Sequence, residues 1–186
     1  VRVIAGSARG RRLTAPKGLH TRPTPDRVRE ALFSILGPMI PGATILDLFA
    51  GTGAFGIEAL SRGANRSVFV DNDRRARQFL EKNLAVVAGT QSRILPVAAS
   101  QALKKLVDEG EHFDVAFLDP PFDAGLLEPT LWQLAASGIM AAESSVICEH
   151  RGRVHPPAAP NGWCLSRERP FGDVAVSIFV MKGHSP

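Results

Sequence analysis

The sequence predicts an α/β domain built on a mostly parallel sheet, with helices on both faces and an antiparallel hairpin at the end. Three observations carry this. From Ala43 onward, short apolar runs alternate with amphipathic stretches at helical spacing, the pattern of parallel strands joined by crossover helices. The last two apolar runs, 163–169 and 174–180, are separated only by a short turn near Gly172-Asp173, so they should pair antiparallel. Finally, 186 residues at 45% apolar and 22% charged composition suffice for one soluble domain whose core needs no staples.

Taken in order, Val1-Arg2-Val3-Ile4-Ala5 and Arg11-Arg12-Leu13 read as two strands around the turn Gly6–Gly10, giving a small basic β-hairpin arm over residues 1–22. Thr24-Pro25 reads as a helix start, with threonine as N-cap and proline at the first helical position. The apolar residues Val28, Leu32, Phe33, Ile35 and Leu36 follow at helical spacing until Gly37-Pro38 stops the helix of 24–36. The main domain, 23–186, then alternates. Strands are expected at 44–48, 67–70, 93–97, 113–118 and 145–149, with helices reaching about Arg62 and spanning 74–87, 101–107 and 125–136. Pro156–Pro160 is a stiff loop before the final hairpin.

Charge is unevenly spread. Up to residue 29 eight basic residues face the single acid Asp26, a net +7, and the remaining 14 basic and 17 acidic residues give −3. A weakly acidic domain with a basic arm is the electrostatic footprint of a polyanion binder. Cys148 and Cys164 are too few for a disulfide scaffold and lack zinc-ligand spacing, so they are expected to be buried thiols of a cytoplasmic protein. No apolar run reaches transmembrane length, and neither a metal site nor a membrane partner is expected.

Asp47-Leu48-Phe49-Ala50-Gly51-Thr52-Gly53 stands at the carboxyl end of the first strand, where open α/β sheets bind ligands. Gly51 and Gly53 allow a tight turn and close approach of backbone to ligand. Gly51–Gly56 also fits the dinucleotide fingerprint G-x-G-x-x-G, and Asp71, about 20 residues on, suits a ribose diol. The loop therefore indicates an adenosine-type ligand, either a dinucleotide or S-adenosylmethionine.

Asp119-Pro120-Pro121-Phe122 follows the apolar strand Val115-Ala116-Phe117-Leu118 at the same edge. It resembles the (Asp/Asn/Ser)-Pro-Pro-(Tyr/Phe/Trp) signature of methyltransferases acting on adenine N6, cytosine N4 or guanine N2. The residue types fit that chemistry. A conjugated exocyclic amine is a poor nucleophile, and acceptors on Asp119 and the Pro120 carbonyl would hold it for in-line attack. The prolines fix the loop in advance, and Phe122 offers a face for an extruded base. This motif, with Asp47-Leu48-Phe49-Ala50 before the glycines, favours S-adenosylmethionine over a dinucleotide. Other residues are read as structural: Trp132 as core beside Leu127, Leu131 and Leu134, His150 and His155 as surface or loop, Glu149-His150-Arg151 as strand-end polarity, and Arg74-Arg75-x-Arg77 as an exposed helix face or a phosphate contact.

The whole chain resembles the bacterial small-subunit ribosomal RNA guanine-N2 methyltransferases, the RsmD family. The match runs through Arg2–Gly6, Arg9–Leu13, Arg22–Phe33, Leu46–Gly53, Glu58–Ala64, Asn83-Leu84 and Leu118–Phe122. The resemblance implies a class I, Rossmann-like methyltransferase domain with a seven-stranded sheet, and methyl transfer from S-adenosylmethionine to N2 of one guanine of 16S rRNA, yielding S-adenosylhomocysteine. It implies an assembled or assembling small subunit as partner, cytoplasmic location and a monomer. By the same resemblance Asp47, Phe49, Gly51, Gly53, Asp71, Asn72 and Ala99 are cofactor residues and Asp119, Pro120 and Phe122 act on the target base. The basic residues Arg9, Arg11 and Arg12, with Arg22 and Thr24, are then the RNA contacts. One departure stands out: where relatives carry Asp or Asn after the third strand to hold adenine, this chain has Pro96-Val97-Ala98-Ala99-Ser100, leaving backbone, Ser100 or water. The alternatives are a DNA adenine-N6 or cytosine-N4 methyltransferase, a nucleic-acid-binding module without catalysis, and a dinucleotide oxidoreductase.

Overall fold

The computed structural model describes residues 1–15 and 26–182; Arg22, Thr24 and the expected helix cap at Thr24-Pro25 lie outside the described residues. Among the described residues, seven strands form one sheet: β1 (Thr44–Leu48), β2 (Arg66–Val70), β3 (Gln91–Leu95), β4 (Phe113–Leu118), β5 (Met140–Arg151), β6 (Trp163–Phe171) and β7 (Val174–Met181). Their order is β3-β2-β1-β4-β5-β7-β6. Strands β1 to β5 pair in parallel, and β7 joins antiparallel to both β5 and β6. The chain runs outward from β1 to β3 and then returns to β4 on the other side of β1. The topology therefore switches between β1 and β4, where a ligand crevice opens at the carboxyl edge.

Among the described residues, five helices cover the sheet: α1 (Asp26–Leu36), α2 (Ala54–Ser61), α3 (Arg74–Leu84), α4 (Ala99–Asp108) and α5 (Leu127–Ala136). Two core layers result. One joins α1, α2 and α3 to Ile45, Phe69, Val115, Phe117 and Ile147; the other joins α4 and α5 to Leu46, Val68, Ala116, Val146 and Phe179. The alternation of strand side chains divides each strand between the layers. No helix among the described residues is long and apolar enough to cross a membrane.

Several boundaries differ from the expectation, each for a local reason. β3 occupies Gln91–Leu95 rather than 93–97, because Pro96 has no N–H with which to continue the ladder beyond Val70↔Leu95. α4 consequently starts at Ala99, two residues early, with Ala98 as its N-cap. A 3₁₀ turn at Phe122–Ala124 and the left-handed Gly125 delay α5 to Leu127. β5 is far longer than 145–149, because β7 pairs with it from Ser145 to Arg151 and Phe113 pairs with Met140. Trp132 is 45% exposed, not core. Leu131 and Leu134 fill the buried stripe of α5, and the residue after Leu131 is turned about 100° away from it.

The basic N-terminal segment is docked rather than trailing. Its two arms meet in a single bridge, Arg2↔Arg12, supported by Val3 N–H donating to Arg11 O (2.9 Å) and Leu13 N–H to Val1 O (3.0 Å), so it is a loop closed at its base rather than a regular hairpin. Val3, Ala8 and Leu13 are buried in the α1–α3 layer. Glu58, fully buried on α2, accepts the N–H groups of Ile4 (2.7 Å) and Ala5 (3.0 Å). Ser61 donates to Ala5 O (2.6 Å) and accepts Ala8 N–H (3.0 Å). A Cβ at Gly6 would stand 1.8 Å from Ser61 O, so this approach requires glycine. The charge count also changes meaning here. Arg29 is buried and donates to Arg2 O and to Asp26 (3.0 Å), while Arg2 pairs with Asp26 at 3.4 Å. Arg29 thus belongs to the scaffold, while Arg2 stays exposed with its charge partly matched by Asp26.

Candidate active site

The carboxyl edge of the sheet collects acids from adjacent strands. Asp47 precedes the last residue of β1, its side chain on the α1–α3 face. Its carboxylate accepts Gly56 N–H at 3.1 Å, and burial, with a smaller push from Asp71, drives its pKa up to about 7 against that bond. The loop beyond β1 turns back on itself: Phe49 sits at φ 66, the one non-glycine residue with positive φ among those described, and Gly51 and Gly53 at φ 56 and 80. A left-handed Phe costs about 1–3 kcal/mol and persists only where its surroundings enforce it. At Gly53 a Cβ would lie 2.3 Å from Leu80 Cδ1 and 3.1 Å from Ile57 Cδ1.

Asp71, one residue past β2, fastens this loop. One oxygen accepts Gly51 N–H (2.7 Å) and the other Asp73 N–H (2.7 Å). Burial raises its pKa, opposed by those two bonds. Asn83, buried on α3, fastens it from behind, donating to Thr52 O (2.9 Å) and Thr14 O (2.9 Å) and accepting Thr14 N–H (2.8 Å). The cofactor loop and the end of the basic loop thus share one side chain. Asn72 is exposed beside Asp71. Ala99 is buried as the first residue of α4, and Ala98 offers that helix no side-chain cap. Gln101 N–H already donates to Ala98 O (3.0 Å), which leaves the N–H groups of Ala99 and Ser100 for solvent or a ligand.

On the other side of the switch point, Asp119 follows β4. Burial holds its carboxyl well above the usual carboxylate range, with Glu149 and then Asp47 pushing the same way. A cleft of about 410 Å³ opens beside it, lined by Pro120, Phe122, Leu126, Glu149, His150 and Arg151 among others. Phe122 is 40% exposed. The Arg151 guanidinium lies 5.8 Å from its ring centroid and pairs with Asp123 at 2.7 Å.

The structure brings Asp47, Phe49, Gly51, Gly53, Asp71, Asn72, Ala99, Asp119, Pro120 and Phe122 to this one edge. Arg9, Arg11 and Arg12 are exposed on the docked loop, joined to the edge through Thr14 and Asn83. Two readings of the β5 end change. His150 is buried, its Nδ1–H donating to Arg151 O (3.0 Å) and its Nε2 facing Ser177 Oγ at 2.8 Å; it is a strand residue held by its neighbour. Glu149 is also buried and lines the cleft, because β5 extends beyond the point where its apolar run ends. The signal for Glu149 was an acid closing an apolar strand at the same edge as Asp47 and Asp119. The signal for Glu58, the anchor of the basic loop, was a lone charge inside the apolar helix AFGIEALS. Cys148 is buried, Cys164 only partly.

A sheet of this order, with a glycine loop after β1, an acid after β2 and Asp-Pro-Pro-Phe after β4, is the fold of the S-adenosylmethionine-dependent methyltransferases. Comparison with known proteins narrows it further. Residues 1–180 match the family described as Conserved hypothetical protein 95, and the chain belongs to that family, the RsmD family. It is 41% identical over 179 residues to ribosomal RNA small subunit methyltransferase D of Escherichia coli K12, covering 96% of this chain and 89% of that protein. The solved structure of yhhF from Escherichia coli superposes with a TM-score of 0.87 at 40% identity, over 99% of both chains. A more distant structure, SMU.776 complexed with S-adenosylhomocysteine, is 16% identical over 78% of this chain and 48% of its own, with a TM-score of 0.61; that likeness concerns the fold alone.

Proposed function

We propose that this protein transfers a methyl group from S-adenosylmethionine to the exocyclic N2 of a guanine in 16S ribosomal RNA, within a small subunit or its precursor. The observation that carries the reading is the Asp119-Pro120-Pro121-Phe122 loop standing beside an open cleft, one strand from the glycine loop. The relative named above as a small-subunit methyltransferase supports ribosomal RNA as the polymer.

The residues at the edge fit S-adenosylmethionine. Asp47 is a buried carboxylate held near pH 7 by desolvation, and a cationic ligand would remove that penalty by Coulomb attraction. Each Asp71 oxygen accepts one backbone N–H and keeps a lone pair for a ribose hydroxyl. The turn from Phe49 to Gly53 would let backbone approach the ligand, and Asn72 and Ala99 would lie toward its adenosine. The N–H groups of Ala99 and Ser100 would stand in for the missing Asp or Asn. When bound, S-adenosylmethionine supplies an electrophilic methyl on a positively charged sulfur.

The protein's own part is positioning. Phe122 stacks on the extruded base, an interaction worth about 1–3 kcal/mol. Asp119 and the Pro120 carbonyl would accept the two amine N–H bonds and hold the nitrogen toward the donor's methyl, and Asp119 is placed to take the proton that the amine loses. Arg9, Arg11 and Arg12 hold RNA phosphates, and Arg22 and Thr24 are assigned to the RNA by the family resemblance alone.

The test is to incubate the protein with labelled donor and, separately, undermethylated small subunits, naked 16S RNA and duplex DNA, then identify the modified nucleoside. N2-methylguanosine in the ribosomal RNA is expected. N6-methyladenine or N4-methylcytosine in DNA as the main product would overturn the reading.

A further inference from the structure

Asn83 on α3 makes four hydrogen bonds, and all of them go to the two segments assigned above to separate ligands. Its Nδ2 donates to Thr14 O (2.9 Å) and to Thr52 O (2.9 Å). Its Oδ1 accepts the Thr14 N–H (2.8 Å) and the Thr14 hydroxyl (2.9 Å). An asparagine side chain has two N–H donors and two lone pairs on its oxygen, so its capacity is fully used and its orientation fixed. The residue is 2% exposed. None of these bonds closes a turn of α3 or a rung of the sheet.

Thr52 stands between Gly51 and Gly53, both at positive φ, in the turn that also holds Phe49 at φ 66. Such a turn keeps its shape only where its surroundings enforce it. Asp71 holds it from one side through Gly51 N–H. From the other side, Asn83 is the one hydrogen-bond donor to Thr52 O among the described residues. Thr14 directly follows Arg11-Arg12-Leu13 on the basic loop. Among the described residues its N–H, hydroxyl and carbonyl all bond to Asn83 alone. Because the amide is saturated and buried, Thr14 cannot shift without breaking bonds to Asn83 or carrying Thr52 with it.

We propose that Asn83 is a positioning residue for methyl transfer: it couples RNA held on the basic loop to the shape of the cofactor loop, so that each ligand tightens the other. The proposal rests on the reading above, in which Arg9, Arg11 and Arg12 hold RNA phosphates and the Gly51–Gly53 turn meets S-adenosylmethionine. RNA on those arginines fixes Thr14, Thr14 fixes the amide, and the amide fixes Thr52 O. Part of the entropy lost in ordering the cofactor loop is then lost before the cofactor arrives. The effect is reciprocal, because it is one free energy seen from either ligand.

The experiment measures equilibrium binding of labelled S-adenosylhomocysteine at one salt concentration, without RNA and with the RNA substrate that the first assay selects. Wild type should bind S-adenosylhomocysteine at least about fivefold more tightly with RNA present, and RNA should gain the same factor from S-adenosylhomocysteine. Asn83→Asp keeps the side-chain shape and both bonds from Thr14 but loses both donations, which frees Thr52 with the basic loop still docked. It should bring that factor to within about twofold of unity and raise KM for S-adenosylmethionine on RNA at least about threefold, with kcat within about twofold. An unchanged factor in folded Asn83→Asp, or a fall in kcat with KM unchanged, would make Asn83 a purely structural residue and overturn the proposal. The wild-type factor tests it without any variant: no tightening, with N2-methylguanosine still formed, overturns the role of Asn83 and leaves the guanine-N2 reading standing. Absence of N2-methylguanosine from every RNA overturns both.

Discussion

The two edges of this sheet handle carboxylates in opposite ways. At the amino edge, Glu109 pairs with Arg93 (2.7 Å) and Lys105 (2.9 Å), Glu111 with Arg66 and Arg93, and Asp114 accepts Thr44 N–H at 2.7 Å. Those partners draw the Glu109 carboxyl down to about 2. At the carboxyl edge, burial holds Asp47, Asp71 and Asp119 above the ordinary carboxylate range. The same side-chain chemistry is therefore neutralised at one edge and left charge-hungry at the other. An exposed ion pair contributes little, with a median of about 0–1 kcal/mol, so the amino edge can be altered cheaply. A buried acid without a matched cation opposes folding, and it persists where a ligand relieves it. The contrast supports the carboxyl edge as the proposed site independently of any relative.

The strongest way to break this comparison is Asp119→Ala. Loss of one preorganised acceptor should lower methyl transfer by about 100–1,000-fold, while cofactor affinity, measured by calorimetry, stays within about threefold of wild type. Retained turnover would remove Asp119 from the chemistry and the meaning from its raised pKa.

Next in size is the pH dependence of stability without cofactor. Asp47 has a folded pKa of about 7, above its unfolded value. Its contribution is thus fully favourable below about pH 4, declines as pH rises through 7, and is lost above it. Asp47→Asn keeps an acceptor for Gly56 N–H and removes the charge. At pH 8 it should therefore stabilise the cofactor-free protein by roughly 1–3 kcal/mol, or several degrees in Tm, with no gain at pH 4 and with cofactor affinity reduced at least about tenfold. A variant no more stable than wild type at pH 8 would show that Asp47 is not penalised by burial. As the control at the opposite edge, Glu109→Gln should leave methyl transfer at the wild-type level.

The smallest effect per residue belongs to the basic loop. Removing residues 1–20 is a poor test, because it would also extract Val3, Ala8 and Leu13 from the core and strip Glu58 of its two N–H donors. Replacing Arg9, Arg11 and Arg12 together by alanine changes charge alone. The slope of log affinity for single-stranded RNA against log salt should fall by about 0.7 per lost phosphate contact, with Tm unchanged. An unaltered slope would take these three residues off the RNA surface.

Much of the fold was legible. Alternation from β1 to β5 and the helix-free turn between β6 and β7 are properties of local composition, and the loops carrying Asp47, Gly51, Gly53, Asp71 and Asp119 stood at strand ends in the linear text. Misjudged elements were those whose limits depend on a neighbour. β5 runs to Arg151 because β7 is there to pair with it. Trp132 is exposed because the stripe beside it is already filled by Leu131 and Leu134. His150 is buried because Ser177 on β7 faces its ring.

By itself, the sequence determined the strand and helix order, the ends at which chemistry could sit, and the residue types that suit an amine and an adenosine, because periodicity, turn residues and functional groups are local. Only the tertiary structure decided what stands beside what. It brought Glu149 near Asp119, tied Thr52 to Thr14 through Asn83, and turned Arg29 from a free cation into part of the scaffold. Those relations depend on strand register and on burial, and both arise when distant segments exclude water together.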